Sequence, residues 1–497
     1  MKEAFEMQHV AIIGAGIGGL AAAMRLAHGG VKVTVLESQS TPGGKMRSLP
    51  SVAGMIDAGP TVLTMKPIFE ELFREVGCQL ADYATLIQED ILARHFWRDG
   101  TRLDLMRDRQ ASLENVRHSF GVAAADEFDR FSRDAQRLFE QLNDPMMQSA
   151  APALWTMIPL MLKSPGTLMM MDPLRSLAQS LARRFSEPRL AQLFARYATY
   201  IGGLPQASPA LLALVWHVES LGVWHVKGGM KQLAYGMEAC AKNLGANFHY
   251  DSCVTRFECG ESGRYQLECD GRFVSCDAVL FNGDPNALAR GFLGPEATAA
   301  AAAHATMPRS LSAHVMSFAA QVEGLPLAAH NVLFAADPDQ EYGPLAQGAP
   351  QHDPTLYICA QDRFGSKSPS GKERFEIILN YPSSAQTAVP SQKVREQCQT
   401  IFLDHLIRHG LSFTPRPPPS ALTMTEDFAQ MFPGSDGSLY GRSPHGMMAA
   451  FARPTARTKT KGLYLVGGGA HPGAGVPMAT LSAKHAAAAI LSDLTLT

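Results

Sequence analysis

Six consecutive residues, Gly14-Ala15-Gly16-Ile17-Gly18-Gly19, are the first in the chain whose types and spacing could do chemistry. They follow the apolar run Val10–Ile13 and open an alanine-rich stretch from Leu20 to Ala27, so the order is strand, tight turn, helix. Gly14 allows the turn, Gly16 lets backbone amides approach a pyrophosphate, and Gly19 permits close helix–strand packing. The helix N-terminus adds partial positive charge. A second strand, Val31–Leu36, ends at Glu37, where a ribose diol needs a charged acceptor. A dinucleotide is the expected ligand. Pro42–Arg47 then supplies another glycine turn, in which Gly43 and Gly44 precede Lys45 and Arg47, two cations able to face phosphate.

The far end of the chain offers a matching set. Gly462–Val466 reads as a strand, Gly467-Gly468-Gly469 as a turn, and Pro477 as the first position of a helix through Ile490. Cys253–Phe281 reads as a β-meander with strands Cys253–Phe257, Tyr265–Cys269, Arg272–Ser275 and Ala278–Phe281. Ser208 followed by Pro209 reads as the start of an apolar helix through Leu221, and an amphipathic helix is expected near Val394–His409.

Composition narrows the partners. Lys and Arg number 44 against 46 Asp and Glu, a net charge of −2, without the basic excess that nucleic-acid binding needs. The eight cysteines are scattered, with no C-x-x-C pair, so free thiols and no metal site are expected. No export signal is read at the N-terminus. G-x-S-x-G, H-E-x-x-H and Walker A patterns are missing, which argues against hydrolase and nucleotidase chemistry. Pro145–Met171 holds seven of the 23 methionines, nearly without charge. Its prolines argue against a spanning helix, and it suits the membrane interface or the mouth of an apolar tunnel.

Several separated segments carry a resemblance. Pro42-Gly-Gly-Lys-Met-Arg47 resembles the flavin-dependent amine oxidase and carotenoid desaturase superfamily. Leu463-Tyr-Leu-Val-Gly-Gly-Gly-Ala-His-Pro-Gly-Ala-Gly-Val-Pro477 resembles the C-terminal signature of the bacterial phytoene desaturase-type family, with Ala470 where that family usually has Thr. Asp57–Met65, Lys227–Leu233, Gly437–Arg442 and Phe451–Pro454 extend the match along the chain. The Pro60–Met65, Ser438–Arg442 and Gly475–Ser482 segments are most similar to the 1-hydroxycarotenoid 3,4-desaturases.

The resemblance implies an α/β fold with a discontinuous FAD-binding Rossmann-like domain formed by residues 1–75, 226–285 and 431–497. A helical substrate or membrane-associated region (76–225) and a substrate-domain sheet (286–430) would interrupt it. FAD would be held by Gly14, Ala15, Gly16, Ile17, Gly18, Gly19, Glu37, Gly44, Lys45, Arg47, Gly59, Pro60, Thr61, Val254, Gly468, Gly469, Pro477, Met478 and Ala479, with Val254 on the adenine side and Met478 and Ala479 facing the isoalloxazine. The implied activity is desaturation of an acyclic carotenoid at C-3,4 beside a 1-hydroxyl group, by a cytoplasmic protein resting on the inner face of the membrane. Desaturation of phytoene or neurosporene, and redox-neutral cis-trans isomerisation, remain alternatives.

No catalytic base stands out. Arg196, Tyr197, Tyr200, His217 and Glu219 flank an apolar path, and His471 sits in the C-terminal signature loop. A tertiary hydroxyl on the substrate would need a hydrogen-bond partner in the tunnel, and the sequence does not single one out.

Overall fold

Strand His9–Ile13 is buried along almost its whole length, which is why it reads as an unbroken apolar run instead of an alternating one. It pairs in parallel with Lys32–Leu36 on one side and Ala278–Phe281 on the other, Ile12 lying opposite both Val35 and Leu280. With Leu463–Leu465 and Asn247–His249 at the edges, this makes a five-stranded parallel sheet that gathers both ends of the chain. The helix Ile17–His28 packs against Lys231–Asn243 and Val476–Thr495. Ala21, Ala22, Ala23, Ala483 and Ala486 are fully buried there, and their small side chains let the helices approach closely. The computed structural model describes residues 7–153, 155, 165–260, 264–367, 369–384 and 390–495.

Three of the four expected meander strands form an antiparallel sheet, Val254–Cys259, Tyr265–Cys269 and Arg272–Cys276. The fourth, Ala278–Phe281, leaves it for the parallel sheet. All four of its residues are buried, and a strand covered on both faces does not alternate.

The second large sheet runs in the order 412–414, 312–323, 373–381, 356–360, 330–333, 91–96, 102–106, with Leu422–Thr423 paired to Ser312–Glu323. The stretch 76–225 is therefore not purely helical. Ile91–Phe96 and Arg102–Met106 belong to this sheet, the former in parallel with His330–Leu333. One sheet face packs Phe375, Ile377 and Leu379 on Phe402, Leu403 and Leu406 of the helix Gln392–Arg408. The helices that follow, among them Val122–Leu142, Pro188–Ala195 and Leu214–Ser220, surround Phe128, Phe131, Phe194 and Trp216. Ser208-Pro209 does not start an α-helix directly. Pro209 is extended and bridged to Ser176, and one 3-10 turn, Ala210–Ala213, precedes Leu214–Ser220.

Of the methionine-rich segment, residues 154 and 156–164, with Met157 and Met161, lie outside the described residues. Among the described residues, no helix is long and apolar enough to cross a membrane.

Candidate functional site

The glycine turn at the end of His9–Ile13 is held by contacts that exclude any larger side chain. Gly14 has φ +99°, a conformation that L side chains rarely adopt. A Cβ on Gly19 would stand 2.1 Å from the Gly14 carbonyl oxygen, and one on Gly18 would stand 2.6 Å from Asn282 Oδ1 and 2.9 Å from Gly467 Cα. The Asn282 amide donates to the Gly14 carbonyl at 3.1 Å, tying the end of Ala278–Phe281 to the turn. Gly16 caps the helix Ile17–His28 without any side chain, so the first amides of that helix are left for a ligand.

Glu37 is buried, and its carboxylate accepts from the Ala15 amide at 2.6 Å and the Gln39 amide at 2.8 Å. Its first role is thus to brace the glycine turn. The Gly43 amide donates to the Ala15 carbonyl, which sets the second glycine turn beside the first. Gly59 is pressed on the Lys45 backbone, where a Cβ would lie 2.0 Å from the carbonyl oxygen.

The two cations of that turn part company. Lys45 lines the cavity, donates to the Leu439 carbonyl at 2.6 Å and is lowered to about 8 by burial. Arg47 turns toward the substrate sheet. Its guanidinium donates to the Ala58 carbonyl at 3.1 Å and to Thr423 Oγ1 at 3.4 Å, over the Phe428 ring.

Gly14, Gly16, Ile17, Gly18, Glu37, Gly44, Lys45, Gly59, Pro60, Thr61, Val254, Gly468, Gly469, Pro477, Met478 and Ala479 all line one cavity of about 1050 Å³. Ala15, Gly19 and Arg47 stand behind that lining. Gly469 lies so close to Pro285 that a Cβ would come within 2.3 Å of its ring. Arg453, missed from the sequence as a site residue, donates to the carbonyls of Gly468 at 3.1 Å, Tyr440 at 3.2 Å and Arg442 at 2.8 Å. It clamps the C-terminal glycine turn to the 437–442 loop. Asn282 was missed as well, and its one signal is its place at the C-terminal end of a parallel strand, where ligands collect in such sheets.

The same cavity continues among Leu142, Met146, Met147, Met171, Leu211 and Val215. Arg196, Tyr200 and Glu219 also line it, and they are paired among themselves. Arg196 donates to Tyr200 Oη at 2.6 Å, and Tyr197 Oη donates to Glu219 Oε1 at 3.0 Å. His217 is not part of the lining; its ring packs on Phe139. His471 does line the cavity, with Nε2 2.9 Å from the Ser149 carbonyl, and burial lowers it to about 4, so it is a neutral tether.

A groove walled by glycine backbone, with helix amides and a buried lysine beside it, suits a dinucleotide and its phosphates. Residues 17–491 match the sequence profile of the family described as flavin containing amine oxidoreductase. The chain belongs to that family. As a flavoprotein of this family it uses FAD, and it stands on the carotenoid desaturase branch. It is 47% identical over 487 residues to the hydroxyneurosporene desaturase of Cereibacter sphaeroides, covering 98% of each chain. To the hydroxyneurosporene desaturase of Rubrivivax gelatinosus it is 38% identical, covering 99% of this chain and 95% of that one. To the 1-hydroxycarotenoid 3,4-desaturase of a Flavobacterium species it is 27% identical, covering 96% and 98%. Among solved structures, putrescine oxidase superposes with a TM-score of 0.61 at 16% identity, covering 99% of both chains. Cyclohexylamine oxidase from Brevibacterium oxydans gives 0.57 at 18%, covering 98% of this chain and all of that one, and these two likenesses speak to the flavoprotein fold.

Proposed function

We propose that this flavoprotein desaturates an acyclic carotenoid, removing hydrogen from C3 and C4 of a substrate that carries a hydroxyl on C1. The observation that carries this reading is the continuity of the glycine-walled groove with a methionine- and leucine-lined arm in one cavity. It is supported by the full-length similarity to hydroxyneurosporene desaturases. FAD, when bound, supplies a two-electron acceptor for hydride from an allylic C–H bond.

The chain's part is to place that bond and keep water away. Leu142, Met147, Leu211 and Val215 offer apolar contact to a polyene, and the methionines adapt to its irregular shape. The adjacent proton is acidified once positive charge spreads over the polyene, so no strongly basic side chain is required. This agrees with the internal pairing of Arg196, Tyr200 and Glu219 and with the neutrality of His471.

We further propose that the protein rests on the cytoplasmic face of a membrane. Met448 lines the cavity and is 50% exposed, marking its mouth, and Trp155, Met169 and Leu174 are exposed on the methionine-rich segment and its continuation. Large apolar groups turned to water are the surface that such a contact would use.

The deciding experiment expresses the protein beside pathways accumulating phytoene, neurosporene or 1-hydroxyneurosporene, with products read by chromatography, absorption and mass. Loss of two hydrogens with a red shift from the hydroxylated substrate alone is the expected result. Conversion of phytoene would make it an early desaturase, and changed retention at unchanged mass would make it an isomerase.

A further inference from the structure

Along Glu373–Tyr381 the side chains alternate between two environments. Phe375, Ile377 and Leu379 enter the core under Gln392–Arg408, whereas Glu376, Ile378 and Asn380 line the cavity. Glu376 is fully buried, and neither of its carboxyl oxygens has a hydrogen-bond partner. Directly across the ladder is Ser317, also buried, whose hydroxyl is likewise unpartnered. Burial and the nearby Asp57 hold the Glu376 carboxyl well above the usual carboxylate range, against the pull of Arg47. In its protonated form it presents one O–H donor and one carbonyl acceptor.

A buried polar group without a partner is costly, and each one in a native structure calls for an explanation, an incoming ligand being one. The contrast within this cavity is sharp. Arg196, Tyr200 and Glu219 satisfy one another or their neighbours, so a ligand gains little by approaching them. Glu376 has nothing until something enters.

We propose that Glu376 is the specificity-determining residue that hydrogen-bonds the C1 hydroxyl of the substrate, an assignment that rests on the functional reading above. A tertiary alcohol is both donor and acceptor, the complement of a neutral carboxyl. Position agrees with chemistry. C1 is two bonds from C3, so the group that grips the hydroxyl must lie beside the reacting carbons and hence on the cofactor side of the cavity. Glu376 meets that demand. Its flanking strand carries Tyr357, whose hydroxyl is 3.0 Å from Thr61 Oγ1 in the cavity-lining Gly59–Thr61 segment, and Arg47 acts on the carboxyl from the glycine turn. A carotenoid without the hydroxyl would leave the carboxyl unpaired, and it is rejected for that reason.

The test compares wild type, Glu376→Leu and Glu376→Gln, each as the FAD-loaded protein. Equilibrium binding of 1-hydroxyneurosporene and of neurosporene is read from the carotenoid absorption band without oxygen, and kcat and KM are read separately. Wild type is expected to prefer the hydroxylated carotenoid. In the Leu variant that preference falls on the order of tenfold to hundredfold, in both binding and KM, while the Gln variant, which keeps a donor and an acceptor, retains most of it. An unchanged preference in the Leu variant overturns the assignment. So does loss of flavin from both variants, which would make Glu376 structural. A wild type that does not discriminate between the two carotenoids overturns the functional reading itself, a result separate from the first.

Discussion

Lys45 is a cation held in a place that disfavours its charge. Burial lowers it to about 8, with Asp284 opposing that shift and Arg309 and Arg453 adding to it. An anionic phosphate arriving nearby would favour the protonated form and raise the value again. Below pH 8 the ammonium is already formed, so FAD affinity is flat. Above pH 8 the free protein has lost the proton that binding must restore, so affinity falls as pH rises, toward a limit of about tenfold per pH unit. Fluorescence titration of the apoprotein with FAD between pH 7 and 9.5 should show this break, and Lys45→Met should abolish it. Arg47 does not share this role. The sequence puts both cations in one glycine turn, but their separation depends on Thr423 and Phe428, which are distant in the chain.

At the scale of elements, the strand–turn–helix units were legible because their rules are local. A continuous apolar run, glycines at fixed offsets and an alanine-rich helix need no distant partner to be recognised. The strand holding Glu376 shows where that reading stops. In Glu373–Tyr381 a period of two sends Phe375, Ile377 and Leu379 inward, and the same rule assigns Glu376 and Asn380 to water. They face a cavity instead, whose other walls come from segments distant in the chain, among them Leu142 and Val215 of the 76–225 insertion and Met431 and Leu439. Ile91–Phe96 has a local antiparallel partner in Arg102–Met106, but its place in the large sheet comes from the parallel pairing with His330–Leu333, more than 230 residues away. The glycine helix itself permits a sharp test. Gly18→Val would drive a side chain into Asn282 and the Gly467 backbone, and overpacking of this kind costs about 1–3 kcal/mol. The expected result is at least a tenfold loss of FAD affinity, with a lowered melting temperature in the absence of cofactor.

For the whole molecule, exposure separates the methionines that the proposed membrane contact would use from those it would not. Met170 and Met171 pack with Leu138, Leu142 and Leu214, so changing them would open the core. Trp155, Met169 and Leu174 are 74%, 84% and 93% exposed. Replacing these three by Ser should reduce co-sedimentation with liposomes at least tenfold and leave the flavin spectrum untouched. Each such side chain, if fully buried in lipid, is worth about 1.5–3 kcal/mol. Undiminished sedimentation would remove this face from the membrane contact.

The parallel sheet that begins with His9 is completed at one edge by Leu463–Leu465, and the cavity is walled at one end by residues through Ala479. The cradle is thus assembled from segments far apart in the chain, with Gly14–Thr61 at one end, Val254 and Asn282 in the middle and Gly467–Ala479 at the other end. A ribosome that has made the N-terminal glycine turn has made only part of a receptor, and every residue of both insertions must be synthesised before Gly467–Ala479 can complete it. Cofactor capture is consequently a late event in the life of each molecule. Until then the nascent chain must carry both of its insertions without the flavin they are built to serve.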